Sequence, residues 1–159
     1  IHRGGYLMSV DIKTEGLSEF SKELMDLANK KFPKDTKNFL QRAGNKFKSK
    51  AKENYKKGTT QGTKNLIKGL KRDRAYKYGH DEWQVRVKNT APHAWLVEHG
   101  HVMLGHKDQG KPKLIVANTG EAFVRGKNIM GKTTKEFPSE YQSMAEEFID
   151  KMLDEKGLG

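Results

Sequence analysis

The sequence predicts an α+β fold in a single domain that covers residues 8–159. Three observations predict it. Apolar residues recur at helical spacing near both ends of the chain, an alternating strand-like run lies between them at Trp83–Val87, and no internal repeat is visible. Helices, then strands, then a closing helix are typical of helices packed on a small, mainly antiparallel sheet. A length of 159 residues also suits one domain.

The first elements are a short strand and an amphipathic helix. The stretch before Met8 lacks the apolar core of a signal peptide, and Met8-Ser9 has the form of a natural start, so we expect residues 1–7 to be vector-derived. Val10–Lys13 alternates between apolar and charged residues, which predicts a strand, and Glu15-Gly16 breaks it. The helix that follows has its apolar residues at spacings of three and four: Leu17, Phe20, Leu24, Leu27 and Ala28.

The second helix is predicted from Pro33 to about Gly58. Proline is favoured in the first turn of a helix, and Asp35 or Thr36 is a candidate cap. Its apolar face consists of Leu40, Ala43, Phe47, Ala51 and Tyr55. Its other faces are mostly lysine: Lys37, Lys46, Lys48, Lys50, Lys52, Lys56 and Lys57.

The middle of the chain holds the clearest strand and the densest cluster of unusual residues. Gly58–Gly62 is predicted as a loop, and Asn65–Lys71 fits either a helical turn or an extended segment. The strand Trp83–Lys88 leads through Ala91-Pro92 into a short apolar turn, which closes on Glu98-His99-Gly100. The stretch from Asn89 to His101 could therefore be a metal site, a catalytic corner or a structural signature.

The last third predicts an excursion and a closing helix. Residues 103–135 are rich in glycine and contain one clear apolar run, Leu114–Ala117, so we expect a mobile loop or long hairpin there. The final helix has Ser139 as a candidate N-cap and Gly157 as a stop. Its apolar residues are Tyr141, Met144, Ala145, Phe148, Ile149 and Met152.

The composition excludes several classes of function. The chain has no cysteine, which removes disulfides, thiol catalysis and cysteine-ligated zinc. No apolar run approaches the roughly 20 residues of a membrane helix, so no membrane association is expected. The net charge of +11 is concentrated in residues 30–72, which hold 15 Lys/Arg and two acidic residues. Residues 136–155 instead hold seven acidic residues and only Lys151. An acidic partner is expected for the basic segment, either nucleic acid bound without sequence specificity or the acidic final helix of another copy.

One stretch imitates a nucleotide-binding motif. Gly126–Thr133 matches the phosphate-binding pattern G-x-x-x-x-G-K-[ST]. Pro138 follows where the required helix should continue, and too little chain remains for the parallel strands of such folds. We therefore expect no nucleotide or other cofactor, and no catalytic residue.

The histidines raise the question of a metal. His93, His99, His101 and His106 cluster in the sequence, and Glu98 is a candidate further ligand. They flank Gly100 and Gly105 in loop-like sequence, which favours exposed histidines at a turn. No metal site is expected, although the spacing leaves a metal centre open.

Four features of the sequence resemble the head–tail completion or tail-component proteins of long-tailed double-stranded DNA phages and prophages. They are Gly16-Leu17 at the start of the first helix, the Thr60–Leu66 loop after the basic helix, the Asn89…Ala94…Val97-Glu98-x-Gly100 core, and Val124-x-Gly126 before the closing helix. His93 stands where the family usually has tyrosine. The motif residues carried over are Gly16, Leu17, Asn89, Ala94, Val97, Glu98, Gly100 and Gly126.

The resemblance implies a structural, non-enzymatic protein of the virion neck or tail, made in the host cytoplasm. It further implies a homo-oligomer that forms a hexameric ring in the virion. Alone, the protein would be either a monomer or a ring. Its partners would be other neck and tail proteins. From the charges we expect contacts between copies through Lys46, Lys48, Lys52 and Lys56 on one side and Glu140, Glu146, Glu147, Asp150 and Asp154 on the other. The alternative is a small basic nucleic-acid-binding protein or a metal-dependent nuclease-like protein.

Overall fold

The computed structural model describes residues 8–13, 17–59, 64–79, 82–102 and 123–157. Within these ranges the chain forms six helices and six strands, which confirms the α+β class. In order they are β1 (Met8–Ile12), α1 (Glu19–Lys31), α2 (Pro33–Gly58), α3 (Lys64–Lys68), β2 (Leu70–Arg72), β3 (Tyr76–Tyr78), β4 (Glu82–Asn89), α4 (Ala94–His99), β5 (Gly100–Val102), β6 (Phe123–Arg125), α5 (Ile129–Glu136) and α6 (Pro138–Lys156).

The main sheet is built around β4. Strands β1, β2 and β3 all pair with it in antiparallel fashion, and β1 and β2 lie on its two sides. The register pairs Val10 with Val87 and Ile12 with Val85. Val85 and Val87 are fully buried beneath α2, as the alternation of the sequence predicts. Strands β5 and β6 form a separate antiparallel pair.

Helix α2 is the centre of the core. The predicted apolar face is confirmed, since Leu40, Ala43, Phe47, Ala51 and Tyr55 are all buried. Gly44 lets the helix lie close to the sheet, because a Cβ there would come within 2.4 Å of the Val85 side chain. Helix α6 and the residue before it contact α2 through aromatic rings: Phe148 of α6 with Phe39 at 4.7 Å, and Phe137 with Phe47 at 5.2 Å between centroids. Helix α1 packs against both.

The inward face of α1 differs from the predicted one. Phe20 is 72% exposed, whereas Met25 and Ala28 are fully buried and Ser21 is nearly so. The helix is therefore rotated so that Ser21, Met25 and Ala28, one turn apart, point inward, and Leu24 and Leu27 lie at the margin. Ser21 is tolerated inside because its hydroxyl accepts a hydrogen bond from Gln142 of α6.

The predicted caps are wrong at two helices. Phe32 precedes α2 and Phe137 precedes α6, and neither helix has a side-chain cap from Asp35, Thr36 or Ser139. A proline in the first turn lowers the need for such a cap, because its missing N–H would otherwise lack a partner. Gly157 is confirmed as the stop of α6 in the left-handed conformation, with φ +58°.

The segment after Met103 divides into two parts. Residues 103–122, which include Leu114–Ala117 and His106, lie outside the described residues, as do residues 1–7, Gly16 and residues 60–63. The expectation of a loop or hairpin up to residue 135 is wrong for its last part, where β6 is followed by the regular helix α5. The open choice for Asn65–Lys71 is resolved as both: a turn of helix, α3, and then β2.

Candidate functional site

The most unusual buried group is the carboxylate of Glu98. Glu98 is 2% exposed and lies in α4, a helix of six residues. Ala94 and Glu98 lie one turn apart and both face the interior, whereas Trp95, Leu96 and His99 face outward. A buried carboxylate is costly unless it is hydrogen-bonded, so its partners define this site.

Glu98 joins three helices. Its Oε1 accepts a 2.6 Å hydrogen bond from the Tyr55 hydroxyl of α2. The backbone N–H of Met130, in the first turn of α5, donates to both carboxylate oxygens at 3.2 and 3.1 Å. The carboxylate therefore satisfies one of the N–H groups that a helix start leaves without a partner, and its charge interacts favourably with the positive end of the helix dipole. We call the Glu98 carboxylate with its two partners, the Tyr55 hydroxyl and the Met130 N–H, the clasp, and its geometry suits a structural role.

Tyr55 is held in its neutral form. Burial, and next the hydrogen bond to Glu98 and the charge of its carboxylate, raise the pKa of the Tyr55 phenol far above its ordinary value. The hydroxyl therefore stays a donor throughout the physiological range. The sequence pattern predicts Tyr55 only as part of the apolar face of α2. The available signal was its hydroxyl, since a buried tyrosine usually finds a partner.

Two glycines allow the backbone at the end of α4 to lie close to the backbone of residues 124–126. Gly100 has φ +87°, and a Cβ there would come within 2.4 Å of the Val124 carbonyl oxygen. At Gly126 a Cβ would come within 2.2 Å of the Glu98 carbonyl oxygen. The contact is completed by two backbone hydrogen bonds, Lys127 N–H to Val97 O at 2.7 Å and Asn128 N–H to Glu98 O at 3.1 Å. Neither glycine can carry a side chain without displacing backbone.

Asn89 makes a second buried connection at the end of β4. Its amide donates to the Leu66 carbonyl oxygen at 3.0 Å, and its Oδ1 accepts from the Ala91 N–H at 3.0 Å. Gly69 lies against Oδ1, where a Cβ would come within 2.4 Å. Asn89 thus joins α3 to the turn that leads into α4.

The motif residues that can be located are therefore interior. Asn89, Ala94, Glu98 and Leu17 are buried, and Val97 is half-buried against the core. A family model described as "Bacteriophage HK97-gp10, putative tail-component" matches residues 18–100, which is more than half of the chain. The chain belongs to this family. No curated protein and no solved structure matches the chain.

The matched region of this HK97-gp10-like tail component runs from the start of α1 to Gly100. It includes Tyr55, Asn89 and Glu98, whereas the third partner of the clasp, Met130, lies beyond it. The region matched by the family model therefore contains the side chains that make the buried hydrogen bonds of the core.

The described histidines of the 93–101 segment of this family member lie in different elements. His99, the last residue of α4, is exposed, and its ring contacts Trp95 in a tilted arrangement, with 3.8 Å between centroids and 44° between the ring planes. His93 precedes α4 and His101 lies in β5. Within the described ranges no three histidine or acidic residues come close enough to share a metal ion.

The phosphate-loop pattern is folded differently from a nucleotide site. Within Gly126–Thr133 only residues 126–128 form a loop, and α5 begins at Ile129. The Thr133 hydroxyl is buried and donates to the Ile129 carbonyl oxygen at 2.8 Å, and Glu98 occupies the Met130 N–H. The hydroxyl that would bind magnesium and one of the backbone N–H groups of the pattern are therefore already hydrogen-bonded within the fold.

The charged faces are partly joined within one chain. Lys46 and Lys50 of α2 lie 3.5 and 3.6 Å from Glu140 of α6. Lys52 and Lys56 are exposed and Lys48 is half-exposed, and Glu146, Glu147, Asp150 and Asp154 are exposed along α6. Among the helices that the structure describes, none has the length and apolarity to cross a membrane.

Proposed function

We propose that this tail component completes the tail at its head-proximal end, where copies assemble into a ring in the virion that helps to join tail and head. The observation that carries the proposal is the family match over residues 18–100. The interior position of Glu98 and Asn89 supports a structural role, because the side chains of both residues form hydrogen bonds with groups inside the protein.

We place contacts between copies, and with neighbouring phage proteins, on the charged faces. Lys48, Lys52 and Lys56 lie one turn apart on α2, and we call them the lysine stripe. The acidic face of α6 consists of Glu146, Glu147, Asp150 and Asp154. Since Glu140 already holds Lys46 and Lys50 within the chain, the stripe and the acidic face are what remains of the charged residues predicted for contacts between copies. Opposite patches on one subunit suit head-to-tail association.

The direct test is made in the phage that encodes the chain. A virus that lacks the protein is expected to accumulate filled heads and separate tails, counted by electron microscopy, and the wild-type chain supplied in trans restores joined particles. Joined, infectious particles in the absence of the chain would contradict the proposal.

A second test concerns the purified protein. Light scattering after size exclusion, at low and high salt, gives its mass, and a salt-sensitive ring is expected. The Lys48→Glu/Lys52→Glu/Lys56→Glu variant should fold but fail to assemble. The matched control is Lys64→Glu/Lys68→Glu/Lys71→Glu, which makes the same charge change at three exposed lysines outside α2. If the stripe variant forms the same ring as the control, the stripe is not a contact.

A further inference from the structure

A basic cavity lies beside the buried clasp. It is open to the surface, has a volume of about 700 Å³ and is bordered by the end of α2, the 126–128 loop and the first turns of α5. Among the described residues, four cationic residues border it, Lys57, Arg125, Lys127 and Lys132, against one acidic residue, Glu136. Lys127 donates to the Gly58 carbonyl oxygen, whereas Lys57, Arg125 and Lys132 form no ion pair within the described residues. The cavity therefore attracts more anionic charge than the described residues supply.

The acidic face of α6 has the complementary charge. Counted from Glu146, the other three carboxylates follow after one, four and eight residues, which places all four along one outward side over about 12 Å. Glu147, Asp150 and Asp154 form no ion pair among the described residues, and Glu146 accepts only from Gln142. The acidic face therefore carries the charge opposite to that of the cavity.

The two surfaces lie at opposite ends of α2. Helix α6 runs antiparallel to α2, as Phe148 stacks on Phe39 and Lys156 bonds to Asp35 at 2.7 Å near the start of α2. The cavity lies at the other end, where Asn54 bonds to Thr133 of α5. About twenty helical residues separate the two levels, roughly 30 Å at 1.5 Å per residue. One copy cannot join its own surfaces, but two copies can.

We propose that the cavity receives the carboxylates at the end of the acidic face, Asp150 and Asp154, from a second copy. This inference deepens the proposed function and rests on its self-association, since it names the anchor point of the contact between copies. A head-to-tail contact of this kind repeats from subunit to subunit and closes into a ring when the rotation permits. Cations gathered at one cavity suit a compact carboxylate cluster, whereas a nucleic-acid backbone is tracked by cations arranged along a groove.

Cross-linking tests the contact directly, because the natural chain has no cysteine. The Lys132→Cys/Asp154→Cys variant is oxidised mildly and run on a non-reducing gel. A ladder of covalent dimers and larger species is expected, since the two positions within one copy are too far apart for a disulfide. The matched control, Lys71→Cys/Asp154→Cys, moves the first cysteine to an exposed strand residue and should yield at least tenfold less ladder. Equal ladders, or none at millimolar concentration, would overturn the proposal.

Charge exchange gives a test that does not depend on cysteines. Arg125→Glu/Lys132→Glu and Asp150→Lys/Asp154→Lys should each weaken self-association at least tenfold in sedimentation velocity at low salt. An equimolar mixture should recover it, because each variant then supplies the charge that the other needs. Circular dichroism shows that both remain folded. Loss without recovery in the mixture, or no loss, contradicts the cavity contact.

The outcomes separate this inference from the proposed function. Rings that survive both charge reversals would place the contact elsewhere and leave tail completion standing. A cross-linked ladder together with normal head–tail joining in the phage that lacks the chain would leave the contact standing and overturn tail completion. If Arg125→Glu/Lys132→Glu loses binding to a fluorescent 20-base-pair duplex while its self-association is unchanged, the cavity serves nucleic acid and the proposal is wrong.

Discussion

Tyr55 near the end of α2 donates a 2.6 Å hydrogen bond to Glu98 of α4, 43 positions later in the sequence. The same carboxylate accepts from the first turn of α5, so one side chain fixes three helices relative to one another. The basic cavity is bordered by two of these helices, α2 and α5. The clasp therefore positions the surface on which we place the contact between copies.

Removal of the Glu98 carboxylate should destabilise the fold. Glu98→Ala leaves the Tyr55 hydroxyl and the Met130 N–H buried without a partner, so we expect a loss of about 2–5 kcal/mol in the free energy of unfolding. Glu98→Gln keeps one acceptor and should lose less. Urea denaturation followed by circular dichroism measures both, and Glu147→Ala on exposed α6 is the control, expected within about 0.5 kcal/mol of wild type. A Glu98→Ala variant as stable as this control would show that the clasp contributes nothing.

Alkaline pH should weaken the protein through Tyr55. The folded state raises the pKa of this phenol above its ordinary value of 10.0, so the stabilisation is complete below pH 10 and is lost as the pH rises above it. The expected slope is up to about 1.4 kcal/mol per pH unit above pH 10. Tyr55→Phe should reduce this slope in urea denaturation between pH 9 and 11.5.

Tyr141→Phe serves as the comparison for that experiment. Burial also raises the pKa of Tyr141, but its hydroxyl has no hydrogen-bond partner among the described residues. Tyr141→Phe should flatten the alkaline slope without lowering the free energy of unfolding at pH 7. Tyr55→Phe should lower it by about 1–2 kcal/mol at that pH. Equal stability of the two variants at pH 7 would argue against an energetic role for the bond to Glu98.

Gly126→Ala should prevent the close contact between the two backbones. The new Cβ would lie 2.2 Å from the Glu98 carbonyl oxygen, so the strand or the helix must move, and we expect a loss of more than about 3 kcal/mol or failure to fold. Gly79→Ala is the control, because nothing lies within 4 Å and only the left-handed backbone is strained. Thermal unfolding measures both, and comparable melting temperatures would contradict the close approach.

The orientation of α1 can be checked with two residues. Met25→Ala creates a cavity in the core and should cost about 2–5 kcal/mol. Phe20→Ala removes a side chain that is 72% exposed and should stay within about 0.5 kcal/mol of wild type. Urea midpoints give both values. If Phe20→Ala were more destabilising than Met25→Ala, the inward face predicted from the sequence would be the right one.

Helices and strands with strong periodicity could be predicted from the sequence. The apolar stripe from Leu40 to Tyr55 and the alternation from Trp83 to Val87 identified α2 and β4, because each pattern fits one regular structure. Phe20 was misplaced because spacing defines a stripe only to within one residue, and Ser21 entered the core through a bond to Gln142 that sequence spacing does not reveal. Helix α5 was missed because Gly131 and two threonines gave it no apolar stripe.

The candidate site was predicted in its parts but not in its geometry. Glu98, Gly100 and Gly126 were identified from the family motif, and all three lie at one corner. Their connection depends on Tyr55 and on the Met130 backbone, which are distant in the sequence, and a backbone N–H leaves no trace in residue type. The contact between Lys46 and Glu140 within one chain was hidden for the same reason, since charge counts do not specify which faces meet.

The central position of β4 also governs the order in which the protein can form during synthesis. Strands β1, β2 and β3 have their pairing partner only in β4, so β1 leaves the ribosome long before the strand that completes its backbone hydrogen bonds. Helices α1 and α2 depend on local contacts and can form in that interval, whereas the sheet must wait until Asn89 has emerged. Until then the backbone N–H and C=O groups of β1 that bond to β4 in the folded protein lack that partner.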